Sequence, residues 1–509
     1  MEDLRGPHNI WRLIRTGATF ERSGAMRVAL DALDAPRSLR IAARILGWPF
    51  AWLGLKGDPS QPPILRALTA LGPAYIKFGQ LLSTRPDLVG EDLATELRVL
   101  QDRLPAFERA IAKAEVEREL GIRLDDVFSE FSEPIAAASL AQVHKAKLRA
   151  TGETVAVKVL RPGIERAFLR DVDAFHLAAW MVSLIAPQAR RLRPREVIKH
   201  FEGVVLAELD LRTEASAGDE FAENTANDAG FTVPKLHWNL SARRVMTSSW
   251  ADGVPLGDVK ALAATGYDAH EFATRIIQLF LRQALRDGLF HGDMHQGNLK
   301  RADNGDLIAY DFGIMGRIDP YTRRVYAEIL MGFLHRDYRR TAEVHFEAGY
   351  VPADRDIDEF AQALRAVAAP IFGHNSTQIS IGRLLAHLFE VTERFGMEAR
   401  TELILLQRTM VVVEGVARSL DPTLNIWDAA RPVVEAYIRD NLGPRAMLRD
   451  LGSTMRVLAR FGPHLPKLAE TLLQKAAQPA PVPRRKPLSA WLGLGVGLVF
   501  GALAMWLFT

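Results

Sequence analysis

The sequence predicts an α+β protein of two lobes, with a helical extension before the lobes and a membrane-spanning helix after them. Up to about residue 121, apolar residues recur at three- and four-residue spacing, which is typical of amphipathic helices. Residues 127–160 instead form short alternating runs, as in strands joined by turns. From about residue 268 the pattern is mainly helical again. A strand-rich lobe is therefore expected before a helical one.

Changes of pattern also set the boundaries of the predicted segments. Two long helical patterns, at about 164–186 and 194–227, interrupt the strand-rich lobe as a helical insert. A Pro-rich, basic stretch follows the helical lobe and indicates a linker. The predicted segments are an N-terminal helical segment at 1–60, the helical extension at 61–125, the strand-rich lobe at 126–252, the helical lobe at 253–440, amphipathic helices at 441–476, the linker at 477–487 and the membrane helix at 488–509.

Composition excludes several classes of function. The 509 residues include 64 Lys and Arg against 61 Asp and Glu, which gives a net charge of +3. This balance gives no reason to expect a nucleic-acid partner. There are no cysteines, so disulfides, thiolate metal sites and thiol chemistry are excluded.

Residues 488–509 contain no charged side chain. About 20 apolar residues are enough for a helix to cross a bilayer. Trp491 and Trp506 lie near the two ends of this stretch, and basic residues 484–486 precede it, which favours a cytoplasmic location for the preceding domains. The N-terminus lacks a secretory signal. We expect a single C-terminal pass in the bacterial inner membrane, the alternative being a buried core helix.

Small residues mark one face of the predicted membrane helix. Gly493, Gly497 and Gly501 repeat every four residues and therefore lie on the same side of a helix. Such a face lets two helices approach closely, so a homodimer through these glycines is possible. Ordinary glycine enrichment in membrane helices is an equal alternative.

Three short motifs follow one another in the order found in protein kinases. Lys158 ends the strand pattern Val-Ala-Val-Lys, Asp293 and Asn298 lie five residues apart in a polar segment, and an Asp311-Phe312-Gly313 triplet follows a short apolar run. Each motif alone is weak evidence. Together they match the phosphate-binding lysine, the catalytic loop and the metal-binding triplet of a two-lobed protein-kinase-like fold.

The chemistry of these residues suits ATP or ADP with Mg²⁺. A nucleotide brings several negative charges into the cleft, which a lysine and a metal ion must offset. Asp311 and Asn298 supply the hard oxygen ligands that Mg²⁺ prefers, and Asp293 faces the reacting phosphate. Lys158 needs an anionic partner, for which Glu214 is the best candidate.

Asp210 and Glu214 are four residues apart, so we expect them to share one face of a helix. Glu208 then projects elsewhere. A solvated acidic face without a role in catalysis is the alternative interpretation of these carboxylates.

Two features depart from ordinary kinases. The loop that normally holds a glycine-rich sequence instead contains Ala136, Ala137, Ala138 and Ser139. Alanine avoids the positive φ that glycine permits, so we expect these residues to contact the nucleotide in a different pose. After Gly313 the chain soon enters a helical pattern, which leaves no long activation loop to support a peptide substrate.

The alanine-rich loop, the Glu-Leu-Asp-x-x-x-Glu-Ala stretch at 208–215 and Lys77-Phe78-Gly79-Gln80 resemble the UbiB family of atypical kinases. Residues 82–87 and 101–102 extend the resemblance, which covers about 60–335. The family's commoner catalytic loop has proline where Met294 and Gln296 stand here. We expect this difference to change the stiffness of the loop rather than its ligands.

The resemblance implies roles for further residues and partners. Lys77 would lie on a helical extension packed over the cleft, where it would gate the site and meet Glu208 and Asp210. The family is similar to kinases in fold but resembles an ATPase that acts in ubiquinone biosynthesis. It implies as partners a membrane lipid or polyprenyl ubiquinone precursor and other enzymes of that pathway.

Several interpretations remain open at this point. The chain could be an ATPase, a kinase for a small molecule or lipid, or a non-catalytic pseudokinase that binds nucleotide and organises ubiquinone-pathway enzymes. His291 and His295 flank Asp293 and would also allow a zinc site. Zinc needs three convergent protein ligands with an open position, and the sequence offers no further partner.

Overall fold

A computed structural model describes residues 8–32, 40–41, 48–83, 89–97, 99–100, 105–185, 193–373, 391, 394–397 and 401–443. Described residues up to Ile438 belong to one compact unit, and those from Arg439 onward to a second. The helices of the extension and insert are α1 (His8–Ser23), α2 (Ala25–Ala32), α3 (Pro63–Leu71), α4 (Pro73–Ser83), α5 (Glu91–Leu97), α6 (Arg109–Leu120), α7 (Leu124–Val127), α8 (Ile164–Ile185), α9 (Pro194–Glu208) and α10 (Leu211–Thr225).

The remaining helices belong to the second lobe, and the strands are divided between both lobes. These helices are α11 (Val259–Ala264), α12 (Ala269–Arg282), α13 (Pro320–His335), α14 (Tyr338–Glu347), α15 (Ile357–Gly373), α16 (Thr401–Leu420) and α17 (Ile426–Leu442). The strands are β1 (Phe128–Ala137), β2 (Ala141–Leu148), β3 (Thr154–Leu160), β4 (Phe231–Thr232), β5 (Val245–Ser249), β6 (Val254–Pro255), β7 (Leu289–His291), β8 (Leu299–Arg301), β9 (Leu307–Ala309) and β10 (Met315–Arg317).

The first lobe is built on an antiparallel sheet in the order β1-β2-β3-β5. Side chains alternate between the two faces of a strand, so Val155, Val157 and Val159 of β3 are buried in one hydrophobic cluster with Phe128. Lys158 belongs to the opposite face of the same strand. The valines therefore fix the strand that presents the lysine.

The helical extension packs against the insert. Helices α3, α4 and α5 share a hydrophobic cluster with α8 and α9, in which the Tyr75 ring meets Phe175 edge to face. Gly79 is needed at the centre of α4, because a Cβ there would lie 2.4 Å from Leu100 and 2.8 Å from Leu68. Close packing thus explains the glycine between Lys77 and Gln80 and fixes the orientation of α4.

The second helical pattern of the insert is broken, which the sequence did not predict. Helix α9 ends at Glu208 and α10 begins at Leu211. Asp210 is the N-cap of α10, with φ −125° and ψ 95°, and its side chain accepts from the Arg212 backbone N–H. An aspartate at a helix N-terminus satisfies an otherwise unpaired backbone donor. Asp210 therefore lies outside the helix that carries Glu214, contrary to the expectation of a shared face.

The second lobe is mainly helical and encloses a small sheet. Strands β4, β9, β8 and β6 form this sheet, in which β4 pairs parallel to β9. Strands β7 and β10 form an antiparallel pair beside it. A hydrophobic cluster that includes Phe280, Phe290 and Leu299 connects these strands to α12 and α16. The strand ends and the loops between them carry the polar residues of the site.

The predicted membrane helix requires a correction to the fold and to the predicted location. Among the described residues, no helix is both long enough and apolar enough to cross a bilayer. The 22-residue helix α8, for example, carries charged residues that include Glu165, Arg166 and Arg170. The predicted span at 488–509, with its glycine face, lies outside the described residues. The kinase-like part of the predicted fold stands, whereas the C-terminal membrane helix and the single membrane pass are not supported.

Candidate functional site

Lys158 and Glu214 form a buried ion pair between the sheet and the insert. The Lys158 Nζ donates to Glu214 Oε1 at 2.6 Å and to Oε2 at 2.8 Å. Only 21% of the lysine side chain and 11% of the glutamate side chain are exposed. Strand β3 supplies the lysine and helix α10 the glutamate, so the pair joins two elements that are distant in sequence.

Asp311 completes this charged group. Its Oδ1 lies 3.9 Å from the Lys158 Nζ and accepts from the Gly313 N–H at 3.1 Å. Lys158 lowers the pKa of Asp311, with a further contribution from the Gly313 hydrogen bond. Burial alone would lower the pKa of Lys158, but Asp311 and Glu214 outweigh it and raise that pKa. The negative charge of Asp311 and the positive charge of Lys158 are thus both stabilised at neutral pH.

A network of hydrogen bonds shapes the loop between β7 and β8. The Asn298 amide donates to the Asp293 carbonyl oxygen at 3.0 Å, and the Asp293 N–H donates to His291 Nδ1 at 3.0 Å. His291 is buried, and burial lowers its pKa. His295 Nδ1 accepts from the Gly297 N–H at 2.9 Å. The two histidines therefore hold the loop that presents Asp293 and Asn298.

Met294 and Gln296, where this loop departs from the resembling family, both have contacts that stiffen it. Met294 is fully buried within the core of the second lobe. Gln296 donates to the Ser419 Oγ at 2.7 Å, which connects the loop to α16. Side-chain anchoring here can replace the rigidity that prolines provide.

Donor chemistry at the loop and the triplet fits Mg²⁺. The Asn298 nitrogen is used by the Asp293 carbonyl, so its amide oxygen remains the acceptor that faces outward from that bond. The Asp311 carboxylate would supply a second oxygen ligand. Mg²⁺ commonly takes one or two protein oxygens, with phosphate and water completing the shell. Within the described part of the chain, no group of three or more His, Cys, Asp or Glu residues is arranged to hold a metal.

The alanine-rich segment forms a tight turn at the end of the β1–β2 hairpin. Ala136 and Ala137 pair with β2, and the Ala138 N–H donates to the Ala141 carbonyl oxygen at 2.8 Å. Positive φ is limited to Arg193 and Arg336 among the described non-glycine residues, so the turn has none. Ser139 is fully buried, and its Oγ has no hydrogen-bond partner among the described residues.

Lys77 reaches the end of helix α9. Its Nζ lies 2.8 Å from Glu208 Oε2, with 18% and 17% of the two side chains exposed. Gln80, one turn further along α4, donates to the Leu100 carbonyl oxygen at 3.3 Å. Asp210 is placed differently, since its carboxylate pairs with Arg212 at 2.6 Å.

The Phe312 ring of the triplet packs against α10 and the catalytic loop. Its centroid lies 5.5 Å from that of Phe221 and 5.7 Å from that of His291. Gly218 provides the space, because a Cβ there would lie 2.8 Å from Phe312 Cδ2. The helix that carries Glu214 therefore also supports the residue next to Asp311.

Sequence reasoning missed two residues behind the alanine-rich turn. Arg161 donates through Nε and Nη2 to the Ala138 carbonyl oxygen at 3.0 and 2.8 Å. Gln142 is fully buried and its Oε1 accepts from the Phe107 N–H at 2.9 Å. A charged residue directly after a buried strand and a polar residue inside one are the signals that could have identified them.

A two-lobed fold with a lysine–glutamate pair, a catalytic-loop Asp and Asn and a metal-binding triplet defines the class of kinase-like nucleotide-binding proteins. Residues 99–345 match the ABC1 atypical kinase-like domain, and residues 364–425 match the UbiB helical domain. The chain belongs to the UbiB family, which confirms the resemblance drawn from the sequence.

Two curated relatives support this assignment. A "Probable protein kinase UbiB" of Azotobacter vinelandii is 39% identical over 477 residues, which cover 92% of this chain and 87% of the relative. A protein of the same name from Xanthomonas euvesicatoria pv. vesicatoria is 38% identical over 468 residues, covering 89% and 84%.

A solved structure shares the fold. The complex of Rv3197 with erythromycin from Mycobacterium tuberculosis aligns with a TM-score of 0.51 and 24% identity, covering 71% of this chain and 92% of that one. The likeness concerns the fold alone.

Proposed function

We propose that this chain is a Mg²⁺-dependent ATPase of the atypical kinase type that supports ubiquinone biosynthesis. The observation that carries the proposal is the position of Lys158, which contacts Glu214 at 2.6 Å and lies 3.9 Å from Asp311. A buried ammonium held between two carboxylates is the arrangement that active kinases use to set phosphates against the metal-binding Asp.

Each residue then has a distinct task. Glu214 orients the Lys158 ammonium, which would offset charge on the α- and β-phosphates. Asp311 and Asn298 are the oxygen ligands that would hold Mg²⁺, whose chemistry is to neutralise charge on the β- and γ-phosphates. Asp293 would orient the attacking water or hydroxyl group. ADP fits the same lysine and metal ligands.

Hydrolysis is favoured over transfer to a protein because the connection after the triplet is short. Residues 314–319 contain strand β10, and α13 begins at Pro320, capped by Asp319. Protein kinases use a longer activation segment to support a peptide. A small-molecule or lipid kinase stays compatible with the same site. We also propose two kinds of partner: a polyprenyl ubiquinone precursor or membrane lipid, and other enzymes of the ubiquinone pathway.

The main alternative is a nucleotide-binding scaffold without turnover. It would use the same ion pair and the same metal ligands to hold a nucleotide, so the geometry fits both functions. The absence of hydrolysis would favour the scaffold. The complete set of Lys158, Glu214, Asp293, Asn298 and Asp311 supports the enzyme instead, because a scaffold does not require an Asp at the catalytic position.

The test is ATP hydrolysis by the purified full chain, with and without Mg²⁺ and with and without lipid vesicles. We expect Mg²⁺-dependent hydrolysis that Asp311→Asn lowers at least about hundredfold. In a strain lacking this gene, the wild-type chain should restore ubiquinone content and Asp311→Asn should not. Nucleotide-dependent thermal stabilisation without hydrolysis would favour the scaffold, and normal ubiquinone levels in the deletion strain would exclude the pathway.

A further inference from the structure

Arg161 holds the backbone of the alanine-rich turn at 138–140 by hydrogen bonds. Two guanidinium nitrogens donate to the Ala138 carbonyl oxygen, at 3.0 and 2.8 Å, and the Arg161 N–H donates to the Leu140 carbonyl oxygen at 2.8 Å. Backbone carbonyls repel phosphate oxygens, whereas N–H groups attract them. A carbonyl bound to a guanidinium cannot rotate freely, so Arg161 sets which backbone groups the turn presents.

The same arginine also binds a segment within the helical extension. Its Nη2 donates to the Pro105 carbonyl oxygen at 2.9 Å, and its guanidinium carbon lies 5.7 Å from the Phe107 ring centroid. Residues 105–107, which we call the connector, lie between α5 and α6. A single guanidinium therefore joins the connector and the turn.

Gln142 of β2, two residues after the turn, links the connector to the β1–β2 hairpin. Its Oε1 accepts from the Phe107 N–H at 2.9 Å, and its Nε2 donates to the Phe107 carbonyl oxygen at 3.2 Å and to His144 Nε2 at 2.8 Å. His144 in turn donates through Nδ1 to the Ser132 carbonyl oxygen at 2.9 Å. Burial lowers the pKa of His144, which keeps the ring neutral and its Nε2 an acceptor.

Arg161 itself has a rigid base. Arg244 is buried, pairs with Glu115 and Glu165, and donates through Nη2 to the Arg161 carbonyl oxygen at 2.9 Å. Glu115 belongs to α6 and Glu165 to α8. The backbone of Arg161 is therefore held by both the helix after the connector and the insert.

The connector comes after α5 in the sequence, and α5 packs in one hydrophobic cluster with α4, the helix that carries Lys77. Gln80 of α4 is bonded to the Leu100 carbonyl oxygen, and Leu100 packs in the same hydrophobic cluster as α4. We propose that Arg161 and Gln142 are positioning residues that couple the turn and the β1–β2 hairpin to the helical extension that carries Lys77, so that these segments move as one. The coupling rests on the proposed nucleotide function and adds a means of regulating that site.

A double-mutant cycle tests the coupling. We expect Arg161→Ala to raise the KM for ATP about tenfold with kcat changed less than about twofold, because a charged donor holds the turn. Lys77→Ala alone should lower the KM for ATP about fivefold. When Arg161→Ala is already present, it should lower the KM less than about twofold, since the effects of coupled sites are not additive. Independent, additive effects would overturn the proposal.

The control is Arg149→Ala. Arg149 also donates from its guanidinium to a backbone carbonyl of the first lobe, that of Asp125, at 2.9 Å, but away from the turn and the connector. We expect it to leave the KM and the Lys77→Ala effect unchanged. Arg161→Lys, which keeps one charged donor, should recover part of the KM and protects the experiment if Arg161→Ala fails to fold.

Hydrogen exchange of the nucleotide-free protein gives a readout that does not depend on turnover. Arg161→Ala or Arg161→Lys should accelerate exchange both in 138–140 and at the connector amides of Ala106 and Phe107, Pro105 having no amide hydrogen, whereas Arg149→Ala should affect neither. If the wild type neither binds nor hydrolyses ATP, the proposed function fails and this exchange pattern alone decides the coupling. Faster exchange in the turn with an unchanged connector would show that the two segments are not linked.

Discussion

Gly218 lies directly against the ring of Phe312, and a Cβ at this glycine would come within 2.8 Å of the ring. Phe312 precedes Gly313 and follows Asp311, whose Oδ1 lies 3.9 Å from the Lys158 Nζ. Helix α10 thus contributes an ion-pair partner, Glu214, and the surface on which the triplet Asp311–Gly313 rests. Displacing the ring would displace the carboxylate beside it.

Gly218→Ala is expected to destabilise the protein by about 1–3 kcal/mol through overpacking and to lower hydrolysis by shifting Asp311. Urea unfolding and ATPase rates measure the two effects. The matched control is Gly203→Ala in α9, where a Cβ would meet nothing within 4 Å. It should stabilise by about 0.5–1 kcal/mol, because alanine is the better helix former. Equal effects at both glycines would contradict the proposed contact.

Glu214→Gln should have a large effect, because it leaves the Lys158 ammonium in a buried site without its nearest carboxylate. Removing one member of a buried pair costs about 3–5 kcal/mol, and we expect the lower end because Asp311 remains nearby. We expect kcat/KM for ATP to fall roughly hundredfold. Denaturant unfolding and initial rates provide the measurements.

The control for that substitution is Glu220→Gln on the same helix. Glu220 pairs with Arg317 at 2.9 Å, with 39% and 65% of the two side chains exposed. A surface pair contributes about 0–1 kcal/mol, so stability and activity should change little. A comparable loss at Glu220 would show that negative charge on the helix, rather than the Lys158 pair, is what matters.

Lys77→Ala and Glu208→Gln should act in the same direction, since each breaks the 2.8 Å contact between α4 and α9. If this contact holds the extension over the cleft, either substitution should lower the KM for ATP, by about fivefold for a weakened charged contact. Steady-state kinetics measures the change. The exposed Lys199 of α9 offers a control in Lys199→Ala, which should leave the KM unaltered. Opposite effects at Lys77 and Glu208 would exclude a shared gate.

His345 should make stability depend on pH. It is buried between Phe360 and Tyr350, donates through Nδ1 to the Thr341 carbonyl oxygen, and burial lowers its pKa from 6.5 to about 4. Between these values the unfolded chain binds a proton that the folded chain does not. The contribution of His345 to the free energy of unfolding is therefore complete above pH 6.5. It falls as the pH drops towards 4, by up to about 1.4 kcal/mol per pH unit.

Thermal unfolding of His345→Asn and wild type between pH 7.5 and 4.5 tests this. The substitution should flatten the acid-side loss of stability, although it lowers stability at pH 7.5. His335→Asn, at an exposed position in α13, should keep the wild-type profile. Parallel pH profiles for all three proteins would show that other groups cause the acid sensitivity.

Residues whose spacing alone carries the information were predictable. Lys158 lies in a short strand whose alternating apolar residues stand out in the sequence, and Asp293 and Asn298 lie five residues apart in one short loop, so the local pattern suffices. The parallel pairing of β4 with β9 was not predictable, because it joins residues 231–232 to 307–308 through contacts that no local pattern encodes.

Side chains that act on backbone groups also escaped the sequence analysis. Arg161 binds the carbonyl oxygens of Ala138 and Pro105, and a carbonyl has no signature in the sequence. Asp210 was expected within a helix because periodicity continues across it, but its capping bond to the Arg212 N–H ends one helix and starts the next. Capping competes with helix continuation at aspartate, and periodicity cannot decide between the two.

The break at Leu209 and Asp210 places a limit on how the chain can vary in length. Glu208 closes α9 and Glu214 lies in the first turn of α10, and each meets a different lysine. Deleting or inserting one residue at the start of α10 would turn Glu214 by about 100° around the helix axis and leave Glu208 where it is. Chains that keep both ion pairs should therefore align between these two glutamates without a gap.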